Sequence, residues 1–144
     1  MKRKMGMTGR MLAGAALAAV TACATGGGTR LPVPQVRLGE NFRLTLGQTA
    51  VLAGEPLTVR FATVLDDSRC PLGVQCVRAG EARIQVSLHA AGRDASVVVL
   101  ATDPPQPQRA AYGEYDVELR SLEPRPRQIA PSPVYTATLR VTRR

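Results

Sequence analysis

The chain has no tryptophan, one histidine (His89) and only five aromatic residues among 144. A single histidine excludes a metal site built from several imidazoles. So few rings leave most core burial to aliphatic side chains. They also leave no interleaving of bases and aromatics of the kind on which nucleic acid stacks, and no nucleic-acid partner is expected. Lysine is absent after Lys4, so every basic residue beyond position 22 is arginine. No apolar run approaches the roughly 20 residues of a membrane-spanning helix. No stretch after residue 22 repeats with a helical period, which argues against parallel α/β folds, whose crossovers need helices. Signatures for nucleotide, haem or flavin are missing, and no cofactor or resident metal is expected.

The formal net charge is +8. Four basic groups, Lys2, Arg3, Lys4 and Arg10, lie in the first 22 residues, which hold no acid, so the remainder carries +4. Met11 to Val20 reads M-L-A-G-A-A-L-A-A-V, short, apolar and made largely of small residues. A basic start followed by such a run is the pattern of a secretory signal. A buried cytosolic helix fits poorly, because the run has no polar face to offer water.

The run ends in Val20-Thr21-Ala22-Cys23, which resembles the bacterial lipobox. The resemblance implies a diacylglyceryl group on the Cys23 sulfur, cleavage before Cys23 by signal peptidase II and acylation of the new amine. Several acyl chains bury enough methylenes for stable anchoring, and membrane lipid is therefore an expected partner through Cys23. Ala24, in place of an aspartate, is compatible with sorting to the outer membrane, facing the periplasm. Residues 23–39 read as a flexible tether, with Gly26-Gly27-Gly28 followed by Pro32 and Pro34. A phosphate-cradling loop would need a preceding strand, a following helix and a lysine, and has none of them.

Residues 40–144 read as one all-β domain. Phe42, Leu44 and Leu46 alternate with polar neighbours, as do Leu57, Val59 and Phe61, then Ile84, Val86 and Leu88. The same holds for Tyr115, Val117 and Leu119 and for Tyr135, Ala137, Leu139 and Val141. Each is a half-buried strand. Ser96 to Leu100 is continuously apolar and is expected near the centre of a sheet, and Thr49 to Leu52 is a further short strand. Six to eight strands in about 105 residues predict an antiparallel β-sandwich, immunoglobulin-like in outline, with a small barrel as the alternative.

Asp67-Ser68-Arg69-Cys70-Pro71, Val74-Gln75-Cys76 and Ala79-Gly80-Glu81-Ala82 together resemble a segment of a group of small, uncharacterised bacterial envelope lipoproteins. Phe42, Leu44, Gly47 and Gln48, then Tyr115, Val117, Leu119, Leu122 and Pro124, and the closing Tyr135, Ala137, Leu139 and Val141 extend the likeness over most of residues 42 to 141. Relatives often look like C-V-W-A-G where this chain has Arg78 in place of tryptophan. The group has no activity to carry over.

With Cys23 taken by lipid, Cys70 and Cys76 are an even pair in an oxidising compartment, so a disulfide is expected. Pro71 and Gly73 favour the tight turn such a bridge needs. A zinc site would want a second pair of ligands, and a thiol oxidoreductase the C-x-x-C spacing. Asp67, Ser68, Arg69, Leu72, Val74 and Arg78 form a candidate contact loop. Leu72 and Val74 either present an apolar tip to a partner or fold back to cap the core. Asp66, Asp67, Ser68 and Glu81 could supply oxygens to a cation, and Ser68, His89 and Asp103 could be drawn as a triad. Turn formation and surface packing are the simpler readings of both sets. Arginines from Arg120 onward could meet an anionic envelope component, or reflect composition. The chain thus reads as a lipid-anchored, non-catalytic binding or structural module of the envelope. The alternative is an inhibitor of an envelope hydrolase that presents the Cys70–Cys76 loop.

Overall fold

The computed structural model describes residues 32–78, 80–103, 106, 108–127 and 134–144. The leader, Cys23, most of the tether, Ala79 and parts of two proline-rich loops, Pro104 to Gln108 and Pro124 to Pro133, lie outside the described residues.

Nine strands follow one another among the described residues: β1 (Gln35–Val36), β2 (Asn41–Thr45), β3 (Thr49–Leu52), β4 (Leu57–Asp67), β5 (Ala82–Ala90), β6 (Ser96–Ala101), β7 (Arg109–Tyr112), β8 (Tyr115–Glu123) and β9 (Thr136–Arg143). They form two sheets, ordered β1-β3-β4-β5-β6 and β2-β9-β8-β7. All neighbours are antiparallel except β1 and β3. The architecture is a β-sandwich, not a barrel. The chain changes sheet after β1, β2 and β6, so consecutive hairpins build most of each layer.

The alternation read from the sequence becomes the core. Ala82, Ile84, Val86, Leu88 and Ala90 of β5 face Leu44, Val117, Leu119, Ala137, Leu139 and Val141 in one cluster with Phe61 and Leu100. All five aromatics serve it: Phe42, Phe61, Tyr112 and Tyr115 are buried and Tyr135 packs against it. Their rings and the aliphatic residues supply the apolar area that holds the layers together.

Two strands depart from strict alternation through bulges. Along β5, Val86, Ile84 and Ala82 point inward at intervals of two, while their partners on β4 are Phe61, Val64 and Asp67, at intervals of three. Each of two register shifts inserts one residue into β4. Val64 is thereby turned onto the core, Leu65 is left exposed, and the side chain of Asp67 is delivered inside. A third shift between Leu119 and Ser121 of β8 brings both Leu119 and Leu122 into the interior.

The structure corrects the sequence reading in three places. Ser96–Ala101 is an edge strand rather than a central one, with Val97 and Val99 59% and 39% exposed. Its apolar run reflects an inner face at Val98 and Leu100 and an outer face that happens to carry Val97 and Val99. Sheet pairing extends ahead of residue 40, since Gln35 and Val36 pair with Val51 and Leu52 and Gly39 N–H donates to Val141 O at 2.7 Å. Arg109–Tyr112 is an additional strand, joined to β8 by a two-residue turn whose Gly113 adopts φ of 60°. That left-handed conformation suits glycine and the twist of a tight hairpin.

Val97→Thr should shift stability by no more than about 0.5 kcal/mol, as for an exposed edge position. Ile84→Ala should cost about 2–5 kcal/mol by leaving a cavity between the sheets. Urea unfolding of both variants checks this, and equal losses would restore the central assignment of β6.

Candidate functional site: the disulfide-loop end

β4 and β5 end at the same edge of the sandwich, and residues 68–81 connect them there. Asp67, the last residue of β4, and the first two residues of the connection are structural. Arg69 is buried, 7% exposed, and the side chain of Asp67 is buried with it, 6% exposed. The Arg69 guanidinium grips Asp67 with two parallel bonds, Nε to Oδ1 at 2.8 Å and Nη2 to Oδ2 at 2.7 Å. Nη1 donates to Leu122 O at 2.5 Å and Nη2 also to Pro124 O at 2.8 Å. The Tyr135 hydroxyl donates to Asp67 Oδ2 at 3.0 Å, and the Arg69 backbone N–H to Oδ1 at 3.3 Å. One sheet thus contributes Asp67, and the other contributes the carbonyls at the end of β8 and the hydroxyl just before β9.

Burial alone would push the Asp67 carboxyl up. The bonds and charge of Arg69, with the Tyr135 hydroxyl, outweigh it and hold the carboxyl below its ordinary 3.8. Burial and the Asp67 carboxylate in turn push the Tyr135 hydroxyl up.

Ser68 continues the ladder. Its N–H donates to Glu81 O at 2.9 Å, its hydroxyl donates to the same oxygen, and Glu81 N–H donates back to Ser68 Oγ at 3.2 Å. Gly80 lies so close beneath that a Cβ there would sit 1.8 Å from Ser68 O. Only glycine permits that approach. Asp67, Ser68, Arg69 and Gly80 therefore build the support of the loop.

The tip stands on this support. Cys70 and Cys76 are joined, with Cα atoms 5.9 Å apart. Between them Val74 N–H donates to Pro71 O at 3.2 Å across a turn in which Gly73 has φ of 81°. Leu72 N–H donates to Pro126 O at 3.0 Å, which ties the tip to the segment after β8. Leu72 is 52% exposed and Val77 104%, and Val74 is half-buried. The contact loop expected from the sequence divides accordingly. Leu72 and Arg78 face solvent and Ser68 is exposed but committed to Glu81, whereas Asp67 and Arg69 are turned inward because their charges satisfy each other. The sequence carried a signal for this: two opposite charges two residues apart point to the same side of an extended chain. Val77, missed in the sequence reading, is the most exposed large apolar residue of the end.

The other candidates lie elsewhere or are engaged. His89 opposes Thr58 near the far end of β5, whereas Ala82 opposes Asp67. Seven residues of strand put His89 roughly 23 Å from the Ser68 end, so the two do not form a triad with Asp103. Asp66 is bonded to Arg83 through Nε at 2.7 Å and through Nη2. Among the described residues no group of three potential metal ligands converges. At the far end Arg143 pairs with Glu55 at 2.6 Å and Glu114 at 3.4 Å, and Arg144 with Asp116 at 3.6 Å. The arginines after Arg120 are thus shared between opposite ends and do not form one patch.

No family model, curated protein or solved structure matches the chain.

Arg69→Met should destabilise the domain by about 3–5 kcal/mol, because the Asp67 charge is left buried without its partner. Since the Asp67 carboxyl titrates below its ordinary value when folded, the stability it contributes is complete above about pH 4 and is lost as pH falls through the folded value. Asp67→Asn should flatten this acid limb in unfolding measured from pH 7 to 2, and an unchanged limb would remove Asp67 from the account. Leu72→Asp should leave stability within about 0.5 kcal/mol, since the side chain is exposed. A thermal-melt loss of 2 kcal/mol or more would mean that Leu72 caps the core.

Proposed function

We propose that the chain is an exported lipoprotein, held on the outer membrane through lipid at Cys23. Its folded part is a non-catalytic binding or structural module whose working surface is the disulfide-loop end. The observation that carries this reading is the distribution of exposed apolar side chains. Five of the eight large ones among the described residues, Leu46, Leu65, Leu72, Val77 and Val134, lie at that end. Leu46 N–H donates to Tyr135 O, which places it and Val134 beside the Asp67–Arg69–Tyr135 group. Apolar groups gathered on a rigid, otherwise polar surface are the usual mark of a contact site.

Inhibition of an envelope hydrolase is the second reading. A disulfide-closed turn with Leu72 at its apex suits insertion into a cleft, because little ordering entropy is lost on binding. Co-purification from membranes with a hydrolase whose activity falls on adding the domain would favour it.

The anchoring part is tested at Cys23. Mass spectrometry of the native protein should find acyl chains on residue 23, and Cys23→Ser should leave the precursor uncleaved and the protein outside the lipid-modified fraction. An unmodified mature protein beginning at another residue would overturn the lipoprotein reading.

A further inference from the structure

We propose that the disulfide-loop end docks on an anionic lipid surface. Leu72 and Val77 would enter the interface, and Arg78, Arg125 and Arg127 would meet the phosphate-bearing headgroups. The inference rests on the reading of this end as the working surface and names what it meets.

Three observations carry it. The first is composition: residues 68–78 and 124–127, the described parts of the two segments at the tip, contain four arginines and no acid. Arg69 is used internally against Asp67, which leaves Arg78, Arg125 and Arg127, all exposed and without an ion pair among the described residues. Of the other acids of this end, Asp66 is paired with Arg83, and Glu81, Asp103 and Glu123 stand at the ends of β5, β6 and β8, outside the two segments. The second is geometry. The bond from Leu72 N–H to Pro126 O joins the two segments, so Arg125 and Arg127 flank the residue that holds the apolar apex. Apolar prongs ringed by arginine match a bilayer interface, where aliphatic groups enter the acyl boundary and guanidinium groups pair with phosphate. A protein hot spot would draw on exposed aromatic anchors, and all five aromatics here are committed to the interior.

The third observation is chain direction. β1 runs parallel to β3, and β3 runs antiparallel to β4, which ends at Asp67. The described chain therefore enters the domain heading away from the loop end, from the side on which that end lies. Eleven residues lie between Cys23 and Gln35, a reach of at most about 43 Å. A lipid at Cys23 would keep the domain within that distance of the bilayer, where a weak docking contact becomes effectively intramolecular.

The absence of tryptophan makes a site-specific test available. In the full chain carrying Cys23→Ala, which can take no lipid, Val77→Trp puts the sole indole at the tip. Asp94→Trp, in the turn between β5 and β6 at the far end, serves as the control. With vesicles of phosphatidylcholine and phosphatidylglycerol, the indole of the Val77→Trp chain should shift to the blue and be quenched by brominated acyl chains. The Asp94→Trp chain should show neither change, even if the basic leader also binds the vesicles. Vesicles of phosphatidylcholine alone should give little quenching. Replacing Arg78, Arg125 and Arg127 with glutamine should weaken the docking equilibrium of the tip about fivefold per arginine, about a hundredfold together, and abolish most of the quenching. An unshifted, unquenched indole at position 77 on anionic vesicles would overturn the proposal, as would equal quenching at both positions. Either result leaves acylation of Cys23 and capture of a protein partner to be judged on their own measurements. Quenching that the arginine replacements leave unchanged would overturn the electrostatic half.

Discussion

The buried ion pair of Asp67 and Arg69 is the interaction on which this end of the sandwich depends. Taking two charges out of water costs several kcal/mol per ion, and mutual attraction alone often fails to offset it. Here every acceptor position of the carboxylate is used, and the guanidinium also satisfies the carbonyls of Leu122 and Pro124, 53 and 55 residues away. An apolar replacement would strand those carbonyls as well as the Tyr135 hydroxyl. The pair therefore joins the two sheets at a point where the apolar core has tapered to Ala82, Leu122 and Ala137. The disulfide works at a different scale. It spans six residues, and closing so small a loop contributes on the order of 2 kcal/mol. Cys70–Cys76 fixes the shape of the tip, and Arg69 fixes where the tip stands.

The bulges of β4 are the reason the pair can exist. In an unbroken strand Thr63 and Leu65 would face inward with Phe61, putting a hydroxyl and a second large side chain against Ile84 and Ala82. Two inserted residues replace this sequence with Phe61, Val64 and Asp67, so polarity rises in step with distance from the core. Leu65 is pushed outward as the geometric consequence. Its exposure and the burial of Asp67 are two results of one departure from regular pairing.

How much of this was legible beforehand follows from the same physics. Period-two patterns located β2, β5, β8 and β9, because each has one face on the core and alternation is what such a strand must show. The cysteine pairing was expected from the turn residues between the two and from an even count in an assumed oxidising compartment. β1 was not, since two residues between prolines and a glycine carry no period. β7 was hidden because Ala110 and Ala111 differ little in hydropathy between the inner and outer face. The rank of Ser96–Ala101 within its sheet was misread, because an apolar outer face on an edge strand resembles double-sided burial. Asp67 and Arg69 were taken for surface groups on residue type. Their spacing favoured mutual pairing, but the backbone carbonyls that make burial tolerable come from β8 and beyond, which no local pattern reveals.

The two ends of the sandwich then differ in how they spend their charge. At the far end Tyr115 donates to Glu55 at 2.7 Å, Arg143 and Arg144 are matched by Glu55, Glu114 and Asp116, and Tyr112 donates to Asp94 O at 2.7 Å. Opposite charges meet across that surface, and none of the exposed large apolar residues of β4 or the loops lies there. At the loop end Asp67 is turned inward against Arg69, and Arg78, Arg125 and Arg127 are exposed along with Leu72 and Val77. Had Asp67 been a surface residue, it would have neutralised one of them and screened the apolar apex with a carboxylate. The staple that closes the sandwich thus also keeps the Asp67 carboxylate away from the exposed arginines and apolar side chains of its tip.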